Sequence, residues 1–181
     1  MLSSNRRLSV PQQRQGRLHV RSILRHLVTL SLVTLTPQQE QLSRQVGDFL
    51  LSHFPGSRED RPGEWTVRNE SARVFVTLGA GLGPTGGLLS VQCPLVHRVP
   101  VSAELFRWVA TAGQDHAIGR VFLVMSGEHD TCELWFGHTC ILDVLVPSHL
   151  LGSVYPVLTV SNDLDNQLQE RFGGVITGSV R

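Results

Sequence analysis

Apolar residues recur along this chain with two different periods, and each change of period marks a new element. Leu42, Val46, Phe49 and Leu50 follow one another at helical spacing. Thr36-Pro37-Gln38-Gln39 opens that run as a helix entrance. Thr stands as N-cap, Pro at the first helical position, and Gln where it completes a capping box. Phe54-Pro55-Gly56 stops the helix. Residues 57–63 are polar and predict a loop, and 65–68 predict a first short strand. Residues 72–78 (ARVFVTL) alternate and are β-branched, which predicts a second strand. The run GAGLGPTGG over 79–87 predicts a flexible turn into a third strand at 88–95.

The period then returns to helical over 102–112, with Leu105, Phe106, Val109 and Ala112 inward and Gly113 in a left-handed terminal position. Residues 119–125 (GRVFLVM) and 132–142 predict a pair of strands around a turn. Leu151, Val154, Tyr155, Leu158, Leu164, Leu168 and Phe172 trace a last, long helix that Gly173-Gly174 ends. Pro156 interrupts this pattern, and an interior proline costs about 3 kcal/mol. The cheaper arrangement starts the main segment near Tyr155 with Pro156 in its first turn; a kinked longer helix is the alternative. The order is α-β-β-β-α-β-β-α. This is an α+β fold with a largely antiparallel sheet packed against helices. One domain over 37–175 follows from it, with a tail at 1–36 and a short C-terminal tail at 176–181.

Strand alternation also sorts side chains by face. If Val74, Val76 and Leu78 face the helices, Phe75 shares the opposite face with Arg73 and Thr77. By the same rule Phe122 and Val124 oppose Leu123 and Met125, and Trp135 opposes Leu134 and Phe136. Several strands are thus apolar on both faces. Either helices cover both sides, or the second face takes a partner or a second copy. Phe75, Phe122, Val124 and Trp135 are the candidate partner-binding residues on this reading.

Charge divides the chain unevenly. The net charge is +1, yet residues 1–36 carry six arginines and no acid (+6), and residues 37–181 carry ten arginines and fifteen acids (−5). Arg14, Arg17, Arg21 and Arg25 recur at helical spacing, with Val20, Leu24, Leu27 and Val28 on another face. Such a stripe suits an anionic membrane or a nucleic acid. A disordered tail and a translation start downstream of Met1 are the plainer readings. The apolar run 27–35 is far shorter than the roughly 18 residues of a membrane span, and no alanine precedes Ala72 to form a signal-cleavage site. Cys93, Cys132 and Cys140 are an odd number without paired spacing. They read as reduced thiols in a reducing, cytoplasmic compartment.

Sites of chemistry are thinly represented. Gly81-x-Gly83-x-x-Gly86 matches a dinucleotide fingerprint by letter, but that mechanism requires a helix straight after it. Here Pro84 sits inside and a strand follows, so a hairpin loop is expected. His129, Cys132, His138 and Cys140 could ligate zinc, but they lie on one predicted hairpin instead of two paired knuckles. Cys140 with His138, or Cys93 with His97, could form a nucleophile and base, yet no orienting carboxylate or oxyanion hole is marked. Glu128, Asp130 and Glu133 read as a solvated turn, and the chain has no lysine for a phosphate loop. The expectation is a protein without catalysis, metal or cofactor. A small Cys/His enzyme or zinc protein, and a basic-tail module for nucleic acid or membrane, are the alternatives.

Three local patterns carry a resemblance. They are Val99-Pro100-Val101 leading to Glu104-Leu105-Phe106-Arg107-Trp108-Val109-Ala110, the strand pair at 119–124 and 134–142, and the ending Val160-Ser161-Asn162-Asp163-Leu164-Asp165-Asn166-Gln167-Leu168 with Arg171-Phe172-Gly173-Gly174. In this order they resemble the YbjN-like and type III secretion chaperone (CesT-like) superfamily of peptide-binding "TY-Chap" domains, over about 37–174. Ser161-Asn162, where an Ala is usual, and Pro156 depart from that pattern. The resemblance implies a bacterial-type, non-enzymatic domain that binds protein or peptide segments, often as a homodimer. It transfers no cargo and no catalytic residues.

Overall fold

The computed structural model describes residues 36–69, 72–80, 86–126 and 130–178. Helix α1 spans Pro37–His53, and its entrance is the capping box read from the sequence: the Gln39 amide donates to Thr36 Oγ1, and the Thr36 amide to Gln39 Oε1. Four strands follow, β1 (Arg58–Arg61), β2 (Glu64–Asn69), β3 (Ala72–Ala80) and β4 (Gly87–Pro100). Helix α2 (Ala103–Ala110) starts at Ser102, whose hydroxyl accepts from the Leu105 amide. A short 3-10 turn, Ala112–Gln114, leads to β5 (Arg120–Met125) and β6 (Thr131–Leu142), then α3 (Pro147–Phe172) and β7 (Val175–Ile176). The fold is α+β with an antiparallel sheet in the order β1-β2-β3-β4-β6-β5.

The additions to the expected order have local causes. Residues 58–61 are charged and exposed, so they lack the apolar alternation that announces a strand, yet they pair with β2 as a charged edge. Strand β7 pairs with Val96 and His97 of β4, on the edge that β3 leaves after Phe75↔Gln92. Gly174 permits that return: its φ is +92°, and a Cβ there would lie 2.7 Å from the His97 carbonyl oxygen. Gly113, expected in a left-handed position, is instead buried within the 3-10 turn.

Helix α3 begins at Pro147, more than two turns before the expected start near Tyr155, and Pro156 lies inside it. Packing outweighs the proline. Leu150, Val154, Val157 and Leu158 on either side of it are all buried against the sheet. The carbonyl deprived of its helical donor belongs to Gly152, on the exposed side, where water can replace the bond. Pro156→Ala is therefore expected to stabilise the protein by about 2 kcal/mol. That is the ~3 kcal/mol interior cost less the roughly 0.4–1 kcal/mol by which proline restricts the unfolded chain. A urea melt checks it, and an unchanged midpoint would contradict it.

Register fixes which side each helix covers. Trp65 pairs with Val76, Val76 with Val91, and Val91 with His138, so these residues share one face. Gly47 of α1 sits against the Trp65 indole. Ser153 of α3 lies 3.7 Å from the Cys140 thiol, on that same face. The Trp108 ring of α2 meets Phe172 of α3 edge-on, and Arg171 pairs with Glu104 at 3.2 Å. The three described helices thus lie on one side, and the core is the layer between them and the sheet.

Candidate functional site

The opposite sheet face carries the residues that alternation assigned to it. Phe75 pairs with Gln92 and Gln92 with Gly137; Phe122 pairs with Trp135 and Trp135 with Pro94. Phe75 stacks on Trp135 with ring centroids 6.1 Å apart, and Phe122 stacks on Trp135 from the other side at 6.4 Å. Three rings from β3, β6 and β5 thus form one row across the sheet. The flanking phenylalanines are half-buried, and Trp135 between them is 6% exposed. Its indole N–H donates to Glu133 at 2.9 Å, which fixes the ring's orientation. Val124 lies on the same face, opposite Glu133, beyond the row.

Around the rings the surface is polar. Gln92 Nε2 donates to Ser90 Oγ at 3.0 Å, and Ser90 lies 3.4 Å from the Thr139 hydroxyl. A recess of about 430 Å³ opens beside Phe122, bordered by Gln92, Arg120 and Thr139. Gly137 floors it, because a Cβ there would meet Phe122 at 2.9 Å and Gln92 at 3.2 Å. At the other end, the Arg73 guanidinium lies 4.8 Å from the Phe75 ring centroid. Burial lowers the pKa of Arg73 from its ordinary value, and Arg68 and Arg58 lower it further against Asp60. The face thus carries an apolar strip, a polar rim and one cationic end.

Of the other candidate groups, His138 and Cys140 share one face of β6, and the rest do not converge. Cys132 and Cys140 are eight residues apart on β6, which places their Cα atoms about 26 Å apart, too far for one metal ion. His129 lies outside the described residues, as do Glu128, Gly81, Gly83, Arg14, Arg17, Arg21 and Arg25. Among the described residues no three His, Cys, Asp or Glu side chains gather as a metal site. A strand, β4, follows the glycine motif, so the helix that a dinucleotide site requires is not there. Burial pushes the Cys93 thiol up to about 11, the reverse of an activated nucleophile. Burial also raises Cys132, with Glu133 adding to it. On alkylation at pH 8, Cys140 is expected to react first and Cys93 and Cys132 only on unfolding. Mass mapping checks the order, and early labelling of Cys93 would contradict it.

Comparison with known proteins gives the family. The sequence pattern of TY-Chap1, described as the "T3SS (YopN, CesT) and YbjN peptide-binding chaperone 1" family, matches residues 38–179. The chain belongs to this family. No curated protein matches it. Among solved structures, YbjN from E. coli aligns at 15% identity and a TM-score of 0.48, over 77% of this chain and 98% of that one. No described helix of this TY-Chap domain is long and apolar enough to cross a membrane.

Sequence reasoning missed part of the surface. Arg68, Gln92, Pro94 and Gly137 were not singled out, although a lone glycine inside the apolar β6 run signals close approach of neighbours.

Proposed function

We propose that this TY-Chap domain is a non-catalytic, chaperone-like adaptor of bacterial type that binds an extended protein or peptide segment, in the cytoplasm, on the sheet face opposite its three described helices. The observation that carries the reading is the row Phe75–Trp135–Phe122, with Val124 beyond it. An antiparallel sheet with one open side normally alternates polar residues onto that side. Here three aromatic side chains stand there instead, and their contact area is the kind that dominates protein recognition. The family description, a peptide-binding chaperone, supports a protein or peptide partner. The test is anisotropy of a fluorescent strand-forming peptide with leucine at alternate positions. Saturable binding is expected, and its absence at millimolar protein would remove the reading.

A second copy of the chain belongs to the same proposal. Leu151 and Tyr155, one turn apart on α3, are exposed at 37% and 61%, and Val144 just before that helix at 64%. Pairing through them would cover apolar area that a lone chain leaves in water. Light scattering should give twice the chain mass, and Tyr155→Arg should return it to one. A native chain that stays single at all concentrations would contradict this.

A further inference from the structure

Three arginines meet at one end of the aromatic row. Arg68 of β2 stands directly opposite Arg73 of β3, and Arg58 of β1 pairs with Thr66, two residues along on the same face. Like charges directly opposite one another on a sheet are destabilising. The acid of this corner, Asp60, is already engaged by Arg58 at 2.7 Å and by the Thr66 hydroxyl. Glu64 lies farther off, opposite Thr77. Glu70 and Ser71, which join the strands, lie outside the described residues. Arg73 is laid over Phe75, and its buried Nε has no hydrogen-bond partner among the described residues. The corner therefore holds more positive charge than its described neighbours neutralise, and one donor is aimed at no acceptor.

We infer that this corner receives a carboxylate of the bound segment, so that the partner is an extended peptide with an acidic residue next to alternating apolar ones. The inference rests on the sheet-face reading above and names the chemistry of its ligand. Successive groups along the row are 6.4, 6.1 and 4.8 Å apart, so rings and guanidinium together match at most about five residues of extended chain. A carboxylate on such a segment forms charge-assisted bonds with the accessible guanidinium edges of Arg68 and Arg73 while its apolar neighbours lie on the rings. The protein's own N-terminal segment is a poor occupant, because residues 1–36 hold six arginines and no acid. A polyanion such as nucleic acid is disfavoured as well, since residues 37–181 carry a net −5.

The experiment uses the full chain and three strand-forming peptides with alternate leucines, ending in two glutamates, two glutamines or two arginines, with oligodeoxythymidylate as a fourth probe. The glutamate peptide is expected to bind at least about tenfold tighter than the glutamine peptide at low salt, with the gap narrowing at high salt. Arg73→Gln and, separately, the exposed Arg68→Gln should each shrink that preference by lowering glutamate-peptide affinity. Arg68→Gln keeps the test open should Arg73→Gln fail to fold. Equal affinity for the two peptides, or a preference that survives both substitutions, would overturn the inference. Tighter binding of oligodeoxythymidylate than of any peptide, lost on Arg68→Gln, would overturn it as well. If the glutamate and glutamine peptides bind equally and both lose affinity when Phe75 and Phe122 are replaced, the sheet face stands and only the carboxylate site falls. If no peptide binds, both fall together.

Discussion

Replacing Phe136 with alanine is expected to destabilise the protein by about 3–5 kcal/mol, the usual cost of truncating a buried phenylalanine. Phe136 is fully buried on β6, in register with Cys93 on one side and Val121 on the other. His116 meets its ring edge-on at 5.1 Å, and a Cβ on Gly119 would touch it at 2.9 Å. The ring therefore ties the segment after α2 to the middle of the sheet, and little around it can collapse into the space left behind. Typical domains have only about 5–15 kcal/mol in total, so this loss takes much of the margin. The urea midpoint should fall by roughly 2 M. Phe106→Ala is the matched control, since that side chain is 46% exposed, and it should cost less than about 0.5 kcal/mol. Similar costs for the two would mean that the helix side is not the core.

The second large effect is on binding. Replacing Phe75 and Phe122 together with serine should weaken an apolar strand peptide by at least about tenfold, which is about 1.4 kcal/mol. The two rings flank Trp135 and present their area to whatever lies on the sheet. Truncating central aromatic anchors commonly costs about 2 kcal/mol or more. Both rings are only half-buried, so the fold should survive, as circular dichroism and the melting midpoint would show. Thr139→Ala, on the polar rim, should leave affinity within about twofold. Trp135→Ala is the less informative variant, because Trp135 is nearly buried and holds Glu133, so its loss mixes folding with binding.

Much of this was legible in the chain because strands of period two assign faces without knowledge of neighbours. Once Val74, Val76 and Leu78 were put toward the helices, Phe75 had to point away, and the same holds for Phe122 and Trp135. What alternation could not supply is which strands are neighbours. Trp135 reaches both phenylalanines only because β4 lies between β3 and β6, and β6 between β4 and β5. Strand β1 was hidden because its four residues are charged and exposed, so its pairing leaves no apolar signature. The start of α3 was misplaced because the penalty at Pro156 is local, while the gain from Leu150 and Val154 comes from packing on a sheet whose strands are scattered along the chain before it. The arginine corner escaped notice since Arg58, Arg68 and Arg73 sit on three strands that only pairing brings together.

The central claim is that a protein segment binds the side of the sheet opposite the three described helices. The direct test is to titrate isotopically labelled protein with the apolar strand peptide and follow amide and tryptophan indole resonances. The account predicts shifts concentrated at Phe75, Gln92, Phe122, Val124 and the Trp135 indole, with the buried side at Trp65 unmoved. Shifts centred on α1 or α3, with the Trp135 indole unchanged at saturation, would contradict it.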